Sequence, residues 1–429
     1  MRVLDVWIEI NGSGRKVGSI SGSHPSDAVF CYDTDYLGDA GARPVSVSLP
    51  LQEKPFSPAQ TKNFFEGLLP EGFTRRSVAQ WMHVDENDYL SILSGLGREC
   101  LGALQIVEEG KPQTESSYEK LTSERVLALA KEGTTASAEL VIKAHLSLTG
   151  ASGKVGLYLN EKENAWYLPR GSAPSTHILK QSHVRLLDIV ANEQLCLLTA
   201  KNLGLDVPDS FIVDTGSDSS EDVLFASRRF DRVFSENSMV ISGMKVPGRL
   251  HQEDFAQALG IPASGKYETV RQGYVKKMFD LLRNWSSNPM QDQLKLWDTI
   301  VFDYLIGNTD SHLKNFSLLY SEDLKSIRMA PAYDILSTSV YEGTTRELSF
   351  FIGSENRLEH ITRASFEEAA KEAGIRVKMA MDRFDQMKEA LPGALALAAE
   401  QLSSQEISHA QQLRQRIMKQ NRNEIETKP

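Results

Sequence analysis

Asp310 and Asn315 stand five positions apart in the stretch Gly307, Asn308, Thr309, Asp310, Ser311, His312, Leu313, Lys314, Asn315, Phe316. Phosphoryl-transfer sites use that spacing for two groups. One is an aspartate that orients a hydroxyl and takes its proton; the other is an asparagine whose amide oxygen holds a magnesium ion. A further acid, Asp334, lies between apolar neighbours in Met329, Ala330, Pro331, Ala332, Tyr333, Asp334, Ile335, Leu336, and could supply a second metal ligand. Each acid alone has a plainer explanation, because Asn and Asp after a helix commonly make a turn. The combination is what points to chemistry.

These residues need elements to hold them. Leu294, Trp297, Val301 and Leu305 recur at helical spacing up to Ile306, and Gly307 with Asn308 should stop that helix and release the chain into a polar loop. A cation for phosphates is offered by Lys180, since Thr176 to Lys180 alternates and puts Thr176, Ile178 and Lys180 on one strand face. A lysine beside a buried isoleucine is costly unless it meets an anion; an edge strand with Lys180 at its wet end is the plainer alternative. Between expected strands at 146–149 and 155–159, the turn Gly150, Ala151, Ser152, Gly153 could bring backbone N–H groups close to a phosphate. It lacks the frame of a Walker A loop, and an ordinary hairpin turn explains it equally well.

The rest of the chain divides by pattern. Residues 3–10 alternate and end at Asn11 and Gly12, a strong hairpin signal, with 16–20 as the returning strand. Strands are expected at 28–32 and 45–51, helices over 61–81 (broken by Pro70 and Gly72) and 88–94, and a strand at 101–107. Residues 1–108 therefore read as a small α+β domain, and the polar stretch 110–117 as a linker. A short helix at 121–131, a helix at 188–203 carrying Glu193, and strands at 210–213 and 223–226 fill the middle. Beyond 249 the pattern is helical, with helices expected at 253–259, 268–283, 291–306, 365–373, 376–390 and 393–421. His251 stands at a helix entry in this reading, with Glu253 and Asp254 in the first turn.

Composition limits the function classes. A chain of 429 residues suggests two or three domains at ~150 residues each. Its net charge of −10 disfavours general nucleic-acid binding. The Lys/Arg-bearing segment 411–428 is the local exception to consider, with a solvated helix face as its ordinary explanation. Cys31, Cys100 and Cys196 are too few and too scattered for a disulfide framework or a zinc site, which fits a reducing compartment. No signal peptide and no apolar run of membrane-spanning length is expected, so the sequence reads as cytoplasmic.

Taken together, the motifs resemble the HipA-type serine/threonine kinases of bacterial toxin–antitoxin modules. The resemblance is carried by residues 147–154, 176–180, 229–232, 251–254 and 309–317 and by Tyr333 with Asp334, in order over nearly the whole chain. Residues 43–51, 64–72 and 102–105 match that family's N-terminal subdomain. The fold this implies is α+β and protein-kinase-like, with an N-terminal subdomain (1–108), a strand-rich N-lobe (109–248) and an all-helical C-lobe (249–429). By the same resemblance Asp310 is the catalytic base, and Asn315 with Asp334 hold Mg2+. Thr149, Gly150, Ala151, Ser152, Gly153 and Lys154 form the loop over the phosphates of ATP, and Lys180, oriented by Glu193, neutralises them. Arg228, Arg229 and Phe230 occupy the hinge, and His312, Lys314 and Tyr333 are further nucleotide-binding positions. Ser147 is the serine whose autophosphorylation ejects the loop and switches the enzyme off, a step the added charge of about −1.5 to −2 makes physically sensible.

The resemblance further implies a HipB-like helix-turn-helix antitoxin as partner, operator DNA bound mainly through that antitoxin, and a protein substrate such as an aminoacyl-tRNA synthetase. Two positions depart from the family pattern: Arg228 stands where relatives commonly carry glutamate, and Ala-Ser-Gly-Lys replaces Ala-Gln-x-Lys. The competing classes are a small-molecule phosphotransferase, which uses a similarly spaced Asp and Asn, and a catalytically silent co-repressor.

Overall fold

The computed structural model describes residues 1–111, 115–132, 140–141, 153–181, 186–217, 219, 221–405, 407 and 409–425. Ser147, residues 149–152 and the expected strand at 146–149 lie outside them. The chain forms two compact units: residues 1–181, 213–263 and 318–327 make one, and residues 182–212, 264–317 and 328–429 the other.

The first unit opens on the expected hairpin, Arg2–Ile10 with Ser13–Gly22, turned by Asn11 and Gly12 at φ 50° and 73°. Val29–Tyr32 and Leu104–Glu108 flank it in an antiparallel four-stranded sheet. Its N-terminal helices include Pro58–Phe65, Gly72–Met82 and Tyr89–Leu96, the first opened by a Ser57–Gln60 capping box and the last capped by Asp88. Residues 45–51 are not a strand. Val45 and Leu49 are buried as the alternation requires, but their backbone is held by side chains: Val45 N–H donates to the Tyr32 hydroxyl, which in turn donates to Leu49 O.

A second antiparallel sheet runs Ser117–Lys120, Ala165–Arg170, Lys154–Asn160, His177–Gln181, Val223–Arg228. The expected linker thus runs only as far as Ser117, where an edge strand begins, and Ala165–Arg170 is a strand the pattern does not announce. Val126, Leu157, Leu168, Leu179, Leu224 and Ala226 pack as its core, under the Ser123–Glu132 helix.

His251 and Glu253 do not open a helix. Gln252–Asp254 is a strand, and the helix begins at Phe255 with Asp254 as its cap. Glu253 is buried, accepting hydrogen bonds from the Ser46 and Tyr320 hydroxyls and from Val47 N–H. Burial pushes its carboxyl up to about 7. The folded chain therefore keeps a proton that the unfolded chain releases above about 4.5, and stability falls as pH rises through that window. A shift of this size corresponds to roughly 3 kcal/mol. Glu253→Gln should remove the slope, gaining on the wild type in melting temperature between pH 5 and 8; a gap that does not change with pH would show that Glu253 is ionised in the fold.

The second unit is mostly helical: Ile189–Asn202, Tyr274–Trp285, Pro289–Ile306, Arg363–Ala373, Val377–Ser403 and Ala410–Ile425. Trp297 is fully buried and donates to Ala380 O at 3.0 Å, and the rings of Tyr304, Phe366 and Phe384 cluster beside it. The expected break near 391 is absent. Pro392 sits inside one long helix, whose buried Leu391, Ala394, Leu395 and Ala398 hold it continuous, and the break falls after Ser403 instead. Short strands such as Glu347–Ile352 and Glu355–Arg357 also interrupt the expected all-helical C-terminal region.

Candidate active site

The helix Pro289–Ile306 ends where the sequence predicts. Gly307 takes φ 72°, and a Cβ there would fall 1.9 Å from Ser339 Oγ, so conformation and space both demand glycine. The loop beyond is fixed at nearly every residue. Asn308 Nδ2 and the Ser311 hydroxyl both donate to Asp303, a buried acid on the last turn of the helix. Asn308 Oδ1 accepts from Asp310 N–H at 3.1 Å. Thr309 N–H donates to Thr338 Oγ1 at 2.7 Å, and Ser349 Oγ donates to Thr309 O at 2.9 Å. Asp303 is pushed up to about 7 by burial, the cost of placing an acid under this loop. The sequence reading missed Asp303; an acid on the buried face of the helix's last turn, just before the polar loop, was the available signal.

On this frame the Asp310 carboxylate is exposed, with its Oδ1 accepting from the Tyr267 hydroxyl at 2.6 Å. Asn315 is drawn back to it, Nδ2 donating to Asp310 O at 2.9 Å. That bond uses the amide nitrogen and so makes the amide oxygen the group that could meet a cation. His312 and Lys314 are buried within the loop. The Tyr333 hydroxyl donates to Lys314 O at 2.9 Å and lies 2.6 Å from Ser317 Oγ, tying the Asp334 segment to the loop. Asp334 itself is held at φ 59°, a left-handed conformation that costs a non-glycine residue energy. On either side, Ala332 N–H donates to Asp206 O, and Asn192 pairs with the backbone of Ser337 through both amide atoms. Asn315 and Asp334 offer hard oxygen donors, which fit magnesium.

In the first unit, Lys180 and Lys154 are direct cross-strand partners, with Phe225 opposite Lys180 on its other side and its ring 5.4 Å from the Lys180 ammonium. The register thus brings two lysines together on neighbouring strands. Gly153 precedes this pair, with the Gln181 side chain where a Cβ would fall. Arg228 is exposed and Phe230 half-buried, but Arg229 is buried. Arg229 N–H donates to Thr176 O at 2.9 Å, so that group is already committed. Its guanidinium turns inward to Glu99 and Asp231, an ionic centre that the sequence reading did not anticipate. Glu193 is buried on the Ile189–Asn202 helix of the second unit.

Comparison with known families decides the assignment. A HipA N-terminal domain matches residues 4–107 and a HipA-like C-terminal domain residues 146–395. The chain belongs to the HipA family. Y4mE of Sinorhizobium fredii, named provisionally as a kinase, is 34% identical over 96% of this chain and 95% of that protein. The serine/threonine-protein kinase toxin HipA of Shewanella oneidensis is 27% identical over 81% of this chain and 79% of its own length. The solved Shewanella oneidensis MR-1 complex of HipA, HipB and operator DNA contains a chain that matches at a TM-score of 0.79 and 21% identity, covering 98% of this chain and 96% of that one. The expected kinase-like α+β fold is therefore borne out. Among the described residues, no helix is long and apolar enough to cross a membrane.

Proposed function

We propose that this HipA-family chain is an ATP-dependent serine/threonine protein kinase and the toxin of a toxin–antitoxin pair. The observation that carries the reading is the catalytic loop: Asp310 presented to solvent on a frame fixed by Asp303, with Asn315 locked to its backbone. Asp310 accepts the proton of the acceptor hydroxyl as that oxygen bonds to the γ-phosphorus, and the bond from the γ-phosphorus to the bridging oxygen breaks to release ADP. Magnesium held by Asn315 and Asp334 would neutralise charge on the phosphate oxygens. Lys154 and Lys180 supply positive charge for the nucleotide. Ser147 is the self-phosphorylated residue, and a HipB-like antitoxin carries most of the affinity for operator DNA, in keeping with the chain's charge of −10. The names of the Shewanella toxin and of its complex with HipB support the partner and the acceptor type. The proposed substrate is a translation component such as an aminoacyl-tRNA synthetase.

Incubation with magnesium and γ-labelled ATP should label the chain at Ser147, and Ser147→Ala should lose most of the label. An active enzyme that phosphorylates small alcohols or aminoglycosides but never itself would instead favour a small-molecule phosphotransferase. Asp334→Asn removes the charge while keeping a residue that tolerates φ 59°. It should weaken binding of the magnesium–nucleotide complex by roughly tenfold or more, as expected for loss of a charged metal ligand. Equal affinity by calorimetry would remove Asp334 from the metal site.

A further inference from the structure

Resting on the assignment of Asp310 as the base, we infer that Tyr267 gates the acceptor position, its phenol standing where the substrate hydroxyl must donate. A general base has to receive its proton across a hydrogen bond of about 2.6–3.2 Å. The Tyr267 hydroxyl already makes such a bond, donating to Asp310 Oδ1 at 2.6 Å. It is an alcohol-type donor on the same carboxylate that a serine would use, offered by a residue 39% exposed.

The placement is built into the loop. Just beyond Tyr267, the buried carboxylate of Glu268 accepts from the N–H groups of Gln272, Tyr274 and Phe351, while Glu268 N–H donates to Ser349 O. Just before it, Lys266 O accepts from Leu313 N–H, inside the catalytic loop itself. The Tyr267 ring rests edge-on against His312 with centroids 5.1 Å apart. Anchors on both sides of one residue hold its side chain over the base, yet leave that side chain half open to solvent.

The consequence is economy with ATP. With no protein acceptor bound, water is the competing nucleophile: its oxygen would bond to the γ-phosphorus, its proton would pass to Asp310, and the bond to the bridging oxygen would break to give ADP and phosphate. Tyr267 occupies Oδ1 of the carboxylate against that water. An acceptor serine displaces the phenol, so transfer proceeds while hydrolysis stays low.

The test is acceptor-free ATP hydrolysis by the full chain, with magnesium present, comparing wild type, Tyr267→Phe, Tyr267→Leu, Asp310→Asn and the double variant Tyr267→Phe with Asp310→Asn. Tyr267→Phe keeps the ring on His312 and loses only the hydroxyl. Hydrolysis should rise by roughly three- to tenfold in kcat, the effect of one exposed charge-assisted hydrogen bond, with KM for ATP unchanged. Tyr267→Leu should rise in the same direction, and the double variant should fall to the level of Asp310→Asn. An unchanged or lower rate in Tyr267→Phe, with wild type well above Asp310→Asn, overturns the gate and leaves the kinase reading intact. A rise in Tyr267→Phe that persists in the double variant would show that the added hydrolysis does not pass through Asp310, and would sink the base assignment and the gate with it.

Discussion

Asp310→Asn should reduce phosphoryl transfer to any acceptor, Ser147 included, by about a hundredfold to ten-thousandfold, the usual contribution of a positioned general base. The substitution is close to isosteric, and three of the loop's bonds at that position use the Asp310 backbone. Asp310 N–H donates to Asn308, and its carbonyl accepts from Asn315 Nδ2 and His312 N–H. None of the three uses the Asp310 side chain, so they survive the change. The Tyr267 hydroxyl can still donate to the side-chain oxygen of asparagine. The variant should therefore fold normally and bind the magnesium–nucleotide complex within about twofold of wild type, so the loss falls on kcat and not on KM. Single-turnover transfer measured beside nucleotide affinity separates the two. A variant that retains even a tenth of wild-type transfer would show that Asp310 is not the base.

Much of the candidate site's local structure was legible because its parts are local. The spacing from Asp310 to Asn315, the glycine that stops the helix at Gly307 and the hairpin at Asn11 and Gly12 are each decided within a few residues, where backbone conformation and hydrogen bonding leave little choice. What positions them was not legible. Tyr267 reaches Asp310 across 43 residues and Asn192 reaches Ser337 across 145, and nothing in either segment's own pattern names its partner. Residues 45–51 show the same limit from the other side. Their alternation correctly marks Val45 and Leu49 as buried, but whether a buried alternating segment joins a sheet depends on which neighbour offers hydrogen bonds, and here Tyr32 and Glu253 do so first. The helix across Pro392 likewise reflects packing along a buried face overriding a local preference.

Glu99 carries the second large effect. Its carboxylate is fully buried and accepts from Arg229, Arg232 and Arg249, at 3.1, 2.8 and 2.8 Å for the shortest contact of each, as well as from Ser175 N–H. Asp231 and Glu9 complete the charge balance: Asp231 pairs with Arg229 and Arg232, and Glu9 with Arg249. Three guanidinium groups thus face three carboxylates, and the sequence separation from Glu99 to Arg249 is 150 residues, so the centre joins the N-terminal sheet domain to the strand-rich segment after it within one unit. Gly102 is part of the same construction. Its N–H donates to Asp231 at 2.7 Å, and with φ 73° and Gln252 N only 2.7 Å from a would-be Cβ, no larger residue fits.

The arginines hold the Glu99 carboxyl down at about 2 despite complete burial, so its stabilisation is present above the ordinary carboxylate range and is lost only as pH falls from about 4.5 toward 2. Glu99→Gln keeps the shape but leaves three buried cations against two anions. Breaking one side of a buried ion pair costs about 3–5 kcal/mol, because the remaining charge stays desolvated. Urea unfolding of the first unit, located by hydrogen exchange at its own peptides, should show a loss of that order. Glu161→Gln, an exposed acid on the same unit, should change it by less than about 0.5 kcal/mol. Exchange in the second unit's 307–316 loop should remain as in wild type if the two units unfold separately. A Glu99→Gln midpoint no lower than that of Glu161→Gln would mean the three arginines find other compensation, and the ionic centre would then be incidental to the stability of the N-terminal half.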